Sequence, residues 1–182
     1  MKLVTTQFMG LLVLKPERLE DTRGYFCETY SERGLAEAGI PTRFVQDNIS
    51  VSKSAGTLRG LHFQQQPLAQ TKLVAVLKGA ARDVVVDLRR NSHTFGQYFS
   101  VVLSEEEGNQ LYVPVGFAHG FITLRPDTLF AYKVTSYYSA AHDTGIRFDD
   151  PALAIDWGTV PSAVSDRDRA LPNFDPKAEY FP

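Results

Sequence analysis

"KLVAVLKGAARDVVVDLR", residues Lys72–Arg89, carries the reading of the fold. Two short runs rich in Val, Leu and Ala flank Lys78-Gly79. β-Branched and apolar residues in short runs, broken at a glycine, read as strands. The stretch predicts a hairpin: strand Lys72–Leu77, a Lys-Gly turn, strand Ala81–Leu88. The same grammar continues outward. "GQYFSVVLS" is a strand and "EEEGN" a turn; "QLYVP" is a short strand ended by Pro114. "PVGFAHGFITLRPDTLFAYKVTSYY" reads as turn, strand, Pro-Asp turn, strand. Near the N-terminus Leu11–Leu14 forms a strand bracketed by Gly10 and Pro16. Helical signals are sparse. "SERGLAEAG" predicts one helix with Ser31 as its N-cap and Gly39 just past its end. The tail from Pro151, rich in Pro, Asp and aromatics, is expected to wrap the body with short helical turns. Many short strands and almost no helix point to an all-β fold, a cupin-like jelly roll or β-barrel with few short helices. Such a fold can enclose a pocket lined by alternate side chains.

The chain has 182 residues, enough for one domain over 1–182 with a sizeable core. Its formal net charge is −2, with no basic stripe, so nucleic acid is not an expected partner and a charged ligand must meet a local cluster. The apolar patch at Leu11–Leu14 is too short to span a membrane, and no small-residue cleavage site follows it. Cys27 is the only cysteine, which precludes an intrachain disulfide and fits a reducing compartment. A cytoplasmic protein is expected.

"TLRGLHFQ", Thr57–Gln64, is unusual for a strand. Strict alternation puts Leu58, Gly60, His62 and Gln64 on one face and Arg59, Leu61 and Phe63 on the other. Either face then carries a costly polar group beside the core. A bulge at Gly60 removes the conflict: it re-aims side chains and lets Arg59 and His62 share a pocket. His119, in "PVGFAHGFITL", is a second histidine close to a glycine on a predicted strand. A lone strand histidine is ordinarily packed and hydrogen-bonded; two in such settings on separate strands point to a site. Lys72 opens a strand after a polar loop, and Tyr132 in "LFAYKVT" lies on an apolar strand, where the ordinary reading is a core tyrosine with its hydroxyl at the rim. Asp83 in "ARDVVVD" suits the role of orienting an imidazole. Asp168 sits in a loop, "VSDRDRALP", where a carboxylate is ordinarily solvated.

No H-x-H occurs, and His93 and His142 lie in turn-like segments, which argues against a metal. Dinucleotide and P-loop fingerprints are absent. What remains is a β pocket with His, Lys, Tyr and Arg and no expected cofactor, a set suited to proton transfer next to a carbonyl.

These residues sit in segments that resemble the dTDP-4-dehydrorhamnose 3,5-epimerases and related epimerases of nucleotide-linked 4-keto sugars. The matching segments are "DTRGYFCETY", "VQDNISVSKSAGTLRGLHFQ", "KLVAVLKGAARDVVVDLR", "VPVGFAHGF", "FAYKVTSYY" and "VSDRD", spread over nearly the whole chain. "RGLHFQ" and "P-x-GFAHGF" are the most specific. The resemblance implies that His62 is the base that removes the α-proton, with Asp168 as its dyad partner, Tyr132 as general acid across the sugar and Lys72 near the 4-keto oxygen. It further implies that Arg59, His119, Gln46 and Asn48 line the pocket for sugar and diphosphate, with Arg167 beside the dyad, and that Tyr137 stacks on the base. Arg23 and Glu28 belong to an N-terminal segment that reaches the partner's pocket in a homodimer. The chain departs from the family pattern at Arg167 (usually Lys), Leu19 (often aromatic), Ile49 (often His) and "RFDDP" (commonly "RWNDP"). The activity implied is conversion of dTDP-4-dehydro-6-deoxy-D-glucose to dTDP-4-dehydro-L-rhamnose. The same dyad also serves an enzyme inverting C3 or C5 alone. A non-catalytic sugar-binding cupin is the rival of another class.

Overall fold

The computed structural model describes residues 1–182, and the chain folds into two facing six-stranded sheets with a small hairpin beside them. In chain order the elements are β1 (Lys2–Thr5), β2 (Leu12–Lys15), β3 (Arg18–Asp21), β4 (Gly24–Cys27), α1 (Glu32–Glu37), β5 (Gln46–Ser52), β6 (Thr57–Gln64), β7 (Lys72–Lys78) and β8 (Ala80–Asp87). They continue as β9 (Tyr98–Ser104), β10 (Gln110–Val113), β11 (Phe117–Thr123), β12 (Thr128–Val134), β13 (Asp143–Gly145), β14 (Ala163–Val164) and α2 (Asp166–Arg169). One sheet runs β1-β2-β10-β7-β12-β5; the other runs β13-β6-β11-β8-β9, with β14 added parallel to β6. From β5 to β13 every connection except β8–β9 crosses between the sheets. This is the all-β jelly roll that the strand pattern predicts. No helix is long and apolar enough to cross a membrane.

The predicted hairpin at Lys72–Leu88 is corrected. β7 pairs with β10 and β12 in one sheet, whereas β8 pairs with β9 and β11 in the other. Gly79 turns the corner with φ +82°, and a Cβ there would lie 2.6 Å from Thr128 Oγ1. Both runs are central strands with a neighbour on each side, so neither has a free edge to offer the other. Local sequence marks the turn but not which sheet the next strand joins.

Three apolar clusters hold the layers. Between the sheets, Val74, Val76, Val85, Phe117, Phe121 and Phe130 interdigitate, and the Phe121 and Phe130 rings stack with centroids 3.9 Å apart. Behind the second sheet, Leu58, Leu61, Val84, Val86 and Ile122 are covered by Leu153, Trp157 and Phe181, so the tail does wrap the body. Behind the first sheet, Leu14, Leu73 and Tyr112 are covered by Leu35 of α1 and by Ile40. Helix α1 obeys its end signals: Ser31 Oγ accepts from the Gly34 N–H at 3.2 Å, and Gly39 follows at φ +81°.

β6 carries the predicted bulge. His62 pairs with His119 and Arg59 with Phe121, so three steps on β6 oppose two on β11. Gly60 adopts φ +112°, and a Cβ there would lie 2.7 Å from both Gly120 Cα and His119 O. Only glycine meets both demands. Gly60→Ala is therefore expected to cost about 2 kcal/mol or more, the scale of a strained left-handed residue plus a backbone clash. Denaturant unfolding measures it; an unchanged midpoint would show that the bulge tolerates a side chain.

Candidate active site

The bulge turns Arg59 and His62 into one cavity of about 580 Å³ at an end of the space between the sheets. The second sheet contributes Arg59, His62 and His119; the first contributes Lys72, Tyr132 and Ser50; and the β14–α2 segment closes the rim with Ser165, Arg167 and Asp168. His62 Nε2 lies 2.7 Å from Asp168 Oδ1. The Gly60 N–H donates to Asp168 Oδ2 at 3.2 Å, and the Asp168 N–H is capped by Ser165 Oγ at 3.1 Å. Burial alone would raise the Asp168 carboxyl, but its bonds to His62, Gly60 and Ser165 hold it below the usual carboxylate range. An ionised carboxylate only accepts, so the neutral imidazole carries its proton on Nε2 and keeps the Nδ1 lone pair free.

Tyr132 and Lys72 project from the opposite sheet. Burial pushes the Tyr132 phenol up, with Arg59 pulling it down and Asp143 adding to the rise. It stays a protonated hydroxyl at neutral pH. Burial lowers Lys72 to about 8, against the opposing pull of Asp143 and Asp83. The only hydrogen bond of Nζ is a long one, 3.5 Å to the His62 carbonyl. His119 Nε2 lies 2.8 Å from Asp83 Oδ2, which gives Asp83 the imidazole partner its position suggests.

The other sequence candidates scatter. Arg167 lines the rim and pairs with Asp143 at 2.6 Å. Gln46 and Asn48 lie on β5 and bond each other at 2.8 Å; Asn48 lines a second hollow of about 220 Å³ instead of the main cavity. Tyr137 is exposed beyond the end of β12 and does not line the cavity; its carbonyl accepts from Gln64 Nε2 at 3.2 Å. Arg23 sits in the β3–β4 hairpin, paired with Asp21 at 2.6 Å, and neither it nor Glu28 lines the cavity. Ser50 and Asp143 are among the participants that escaped the sequence reading. Ser50 follows from the alternation Gln46, Asn48, Ser50 on β5, and its buried Oγ has no protein partner. Asp143 follows from no local signal, because its segment reads as a turn.

Comparison with known proteins adds an independent finding. The family profile described as dTDP-4-dehydrorhamnose 3,5-epimerase matches residues 5–176. The dTDP-4-dehydrorhamnose 3,5-epimerase of Sinorhizobium fredii is 48% identical over 162 residues, covering 88% of this chain and 83% of its own. The crystal structure of the Bacillus anthracis enzyme of that name, with TDP and PPi bound, superposes with TM-score 0.93 at 49% identity, covering 95% of this chain and 99% of its own. The Legionella pneumophila dTDP-6-deoxy-D-glucose-3,5-epimerase, in complex with dTDP-4-keto-L-rhamnose, gives TM-score 0.87 at 42% identity, covering 96% and 98%.

The depressed Asp168 carboxyl has a consequence for stability. A carboxyl lowered on folding stabilises above its unfolded value, about 3.9, and that contribution fades as pH falls through the folded value. Thermal unfolding of the chain should lose stability below about pH 4, and Asp168→Asn should flatten part of that slope. An identical slope in the variant would mean that Asp168 is not held ionised in the fold.

Proposed function

We infer the mechanism from one premise: the chain belongs to the dTDP-4-dehydrorhamnose 3,5-epimerase family and is an enzyme. It epimerises a dTDP-linked 4-keto-6-deoxy sugar, converting dTDP-4-dehydro-6-deoxy-D-glucose to dTDP-4-dehydro-L-rhamnose. The observation that carries the mechanism is a His–Asp pair and a protonated tyrosine on opposite walls of one cavity.

The 4-keto group makes the C3 and C5 hydrogens acidic, because the electron pair left by the proton delocalises onto O4 as an enolate. His62 Nδ1 takes the proton, and Asp168 stabilises the resulting imidazolium. The Lys72 ammonium faces the enolate oxygen; one such donor is typically worth about 3 kcal/mol. Tyr132 delivers a proton to the opposite face and is left as phenolate. Solvent then reprotonates Tyr132 and takes the proton from His62, so the site resets without net change. The keto group supplies all the activation, and the steps call for no redox cofactor or metal. Arg59 and Arg167 meet the diphosphate with paired donors, which a nearly neutral protein needs only locally. Tyr137 stacks on the nucleotide base, and Gln46 and Asn48 orient the bound sugar nucleotide.

The 182 residues act as one domain whose β3–β4 hairpin serves a second copy of the chain. Support comes from the hairpin itself: Leu19, Tyr25 and Phe26 are exposed there, and Arg23 and Glu28 lie away from their own cavity. Ile49, Val51 and Leu77 are exposed as well, an apolar face suited to a two-fold contact. The unpaired Cys27 fits the reducing cytoplasm.

Proton NMR of the substrate in D2O tests the chemistry. The enzyme should exchange deuterium into C3 and C5 with inversion. Tyr132→Phe should retain exchange with the configuration kept, while inversion falls about 10²–10⁴-fold. Equal loss of exchange and inversion in a folded, substrate-binding variant would remove Tyr132 as a separate acid; exchange at one carbon only would make the enzyme a single-position epimerase. Sedimentation should give twice the mass of one chain, and a fully active monomer would sink the exchanged hairpin.

A further inference from the structure

The cavity holds a second carboxylate–imidazole pair that the mechanism above does not use. His119 on β11 is the direct cross-strand partner of His62 on β6. Both rings turn Nε2 to a buried aspartate, Asp168 for His62 and Asp83 for His119. The two aspartates differ in what else they bind. Asp168 is also held by a backbone N–H, whereas Asp83, fully buried on β8, leaves Oδ1 with no hydrogen-bond partner. A buried carboxylate oxygen without a donor is costly and rare, and a purely structural aspartate would be expected to use both oxygens. Asp87, four residues along the same strand, does so: Oδ1 accepts from Arg89, and Oδ2 accepts from Arg89, Ser92 and Thr94.

We propose that Asp83 is a positioning residue of the epimerase reaction: its buried carboxylate fixes His119 through Nε2 and supplies the counter-charge that keeps Lys72 an ammonium facing the substrate's keto oxygen. The ammonium needs such help, because its only hydrogen bond is the long one to the His62 carbonyl. The groups acting on it come from several elements. Burial opposes the ammonium, while Asp143 on β13 and then Asp83 on β8 favour it, and His62 (β6), His119 (β11), Tyr132 (β12) and Arg59 (β6) line the same cavity. Asp143 is already engaged by Arg167 at 2.6 Å. Asp83 has only a histidine for a partner, and its free oxygen leaves its charge undivided. In turn, burial pushes the Asp83 carboxyl up, and His119 and Lys72 pull it back. The Lys72 charge and the Asp83 charge therefore sustain each other. Enolate formation adds negative charge beside Lys72, so the ammonium is held most tightly when the transition state needs it.

The role rests on the epimerase reading for its chemistry, but its test does not. Lysine 13Cε titration of the ligand-free protein should show one lysine with a midpoint near about 8, absent in Lys72→Met. In Asp83→Asn, a near-isosteric change, that midpoint should fall by about one pH unit or more. The rate of epimerisation, measured as kcat, should lose activity on its alkaline side at correspondingly lower pH. Asp83→Glu keeps the charge, so the midpoint should stay within about half a unit even if activity drops. An ordinary lysine midpoint in the unaltered protein, or one unmoved in folded Asp83→Asn, overturns the proposal, as does a midpoint that falls in Asp83→Glu. If the unaltered protein shows the shifted lysine but epimerises nothing, the epimerase reading fails and the electrostatic pairing stands.

Discussion

At Gly60 the backbone of β6 comes so close to β11 that no side chain fits: a Cβ there would lie 2.7 Å from Gly120 Cα, and one on Gly120 would lie 2.7 Å from Arg59 O. This mutual approach of two glycines lets β6 take one residue more than β11 over the same length. The extra residue changes the phase of the strand. Leu58, Leu61 and Phe63 stay in the cluster behind the sheet, while Arg59 and His62 both enter the cavity. Without the phase change, a core leucine and the histidine would compete for one face. The same Gly60 gives its N–H to Asp168, so the contact that aims the imidazole also holds its partner.

Charge is handled locally throughout. The protein is close to neutral, yet three aspartates are almost wholly buried beside a cationic or cation-capable side chain: Asp83 with His119, Asp87 with Arg89 and Asp168 with His62. They show what distinguishes support from chemistry. Asp87 accepts from the Arg89 backbone and guanidinium and from two hydroxyls, which ties the loop after β8 to the sheet. Every acceptor site is used, so the group is inert. Asp168 and Asp83 instead each hold an imidazole whose other nitrogen has no protein partner. A buried ion with unused capacity destabilises the fold relative to a satisfied one, and the cavity is where the protein tolerates that cost.

Local periodicity was enough to read most of the strands and helix α1, though not the short capped helix α2. Ser31 and Gly39 bracket α1 because N-capping and left-handed termination are properties of a few neighbouring residues. The bulge was legible too, because Arg59 and His62 three apart on an apolar strand conflict with a period of two. The apparent hairpin at Lys72–Leu88 was misread for the converse reason. A glycine between two apolar runs looks alike whether the chain folds back or crosses to another sheet, and the partners that decide it, β10 and β12 for one strand and β9 and β11 for the other, lie elsewhere in the chain. β13 and β14, three and two residues long, carry no periodicity to read.

The sequence by itself determined the chemical inventory: two strand histidines each within two residues of a glycine, a lysine at a strand start, a tyrosine on an apolar strand, one unpaired cysteine and near-zero net charge. It also determined the period of the longer strands and hence which of their side chains share a face. Only the tertiary structure decided which faces meet. His62 and Asp168 bond across 106 residues, and His119 and Asp83 across 36. Asp143 reaches Arg167 of the cavity rim because β13 pairs with the end of β6. These contacts depend on sheet order and on the burial of whole layers, which are sums over many residues. The same holds for Lys72: its identity is written at one position, but its acidity is set by the packing that removes water from around it.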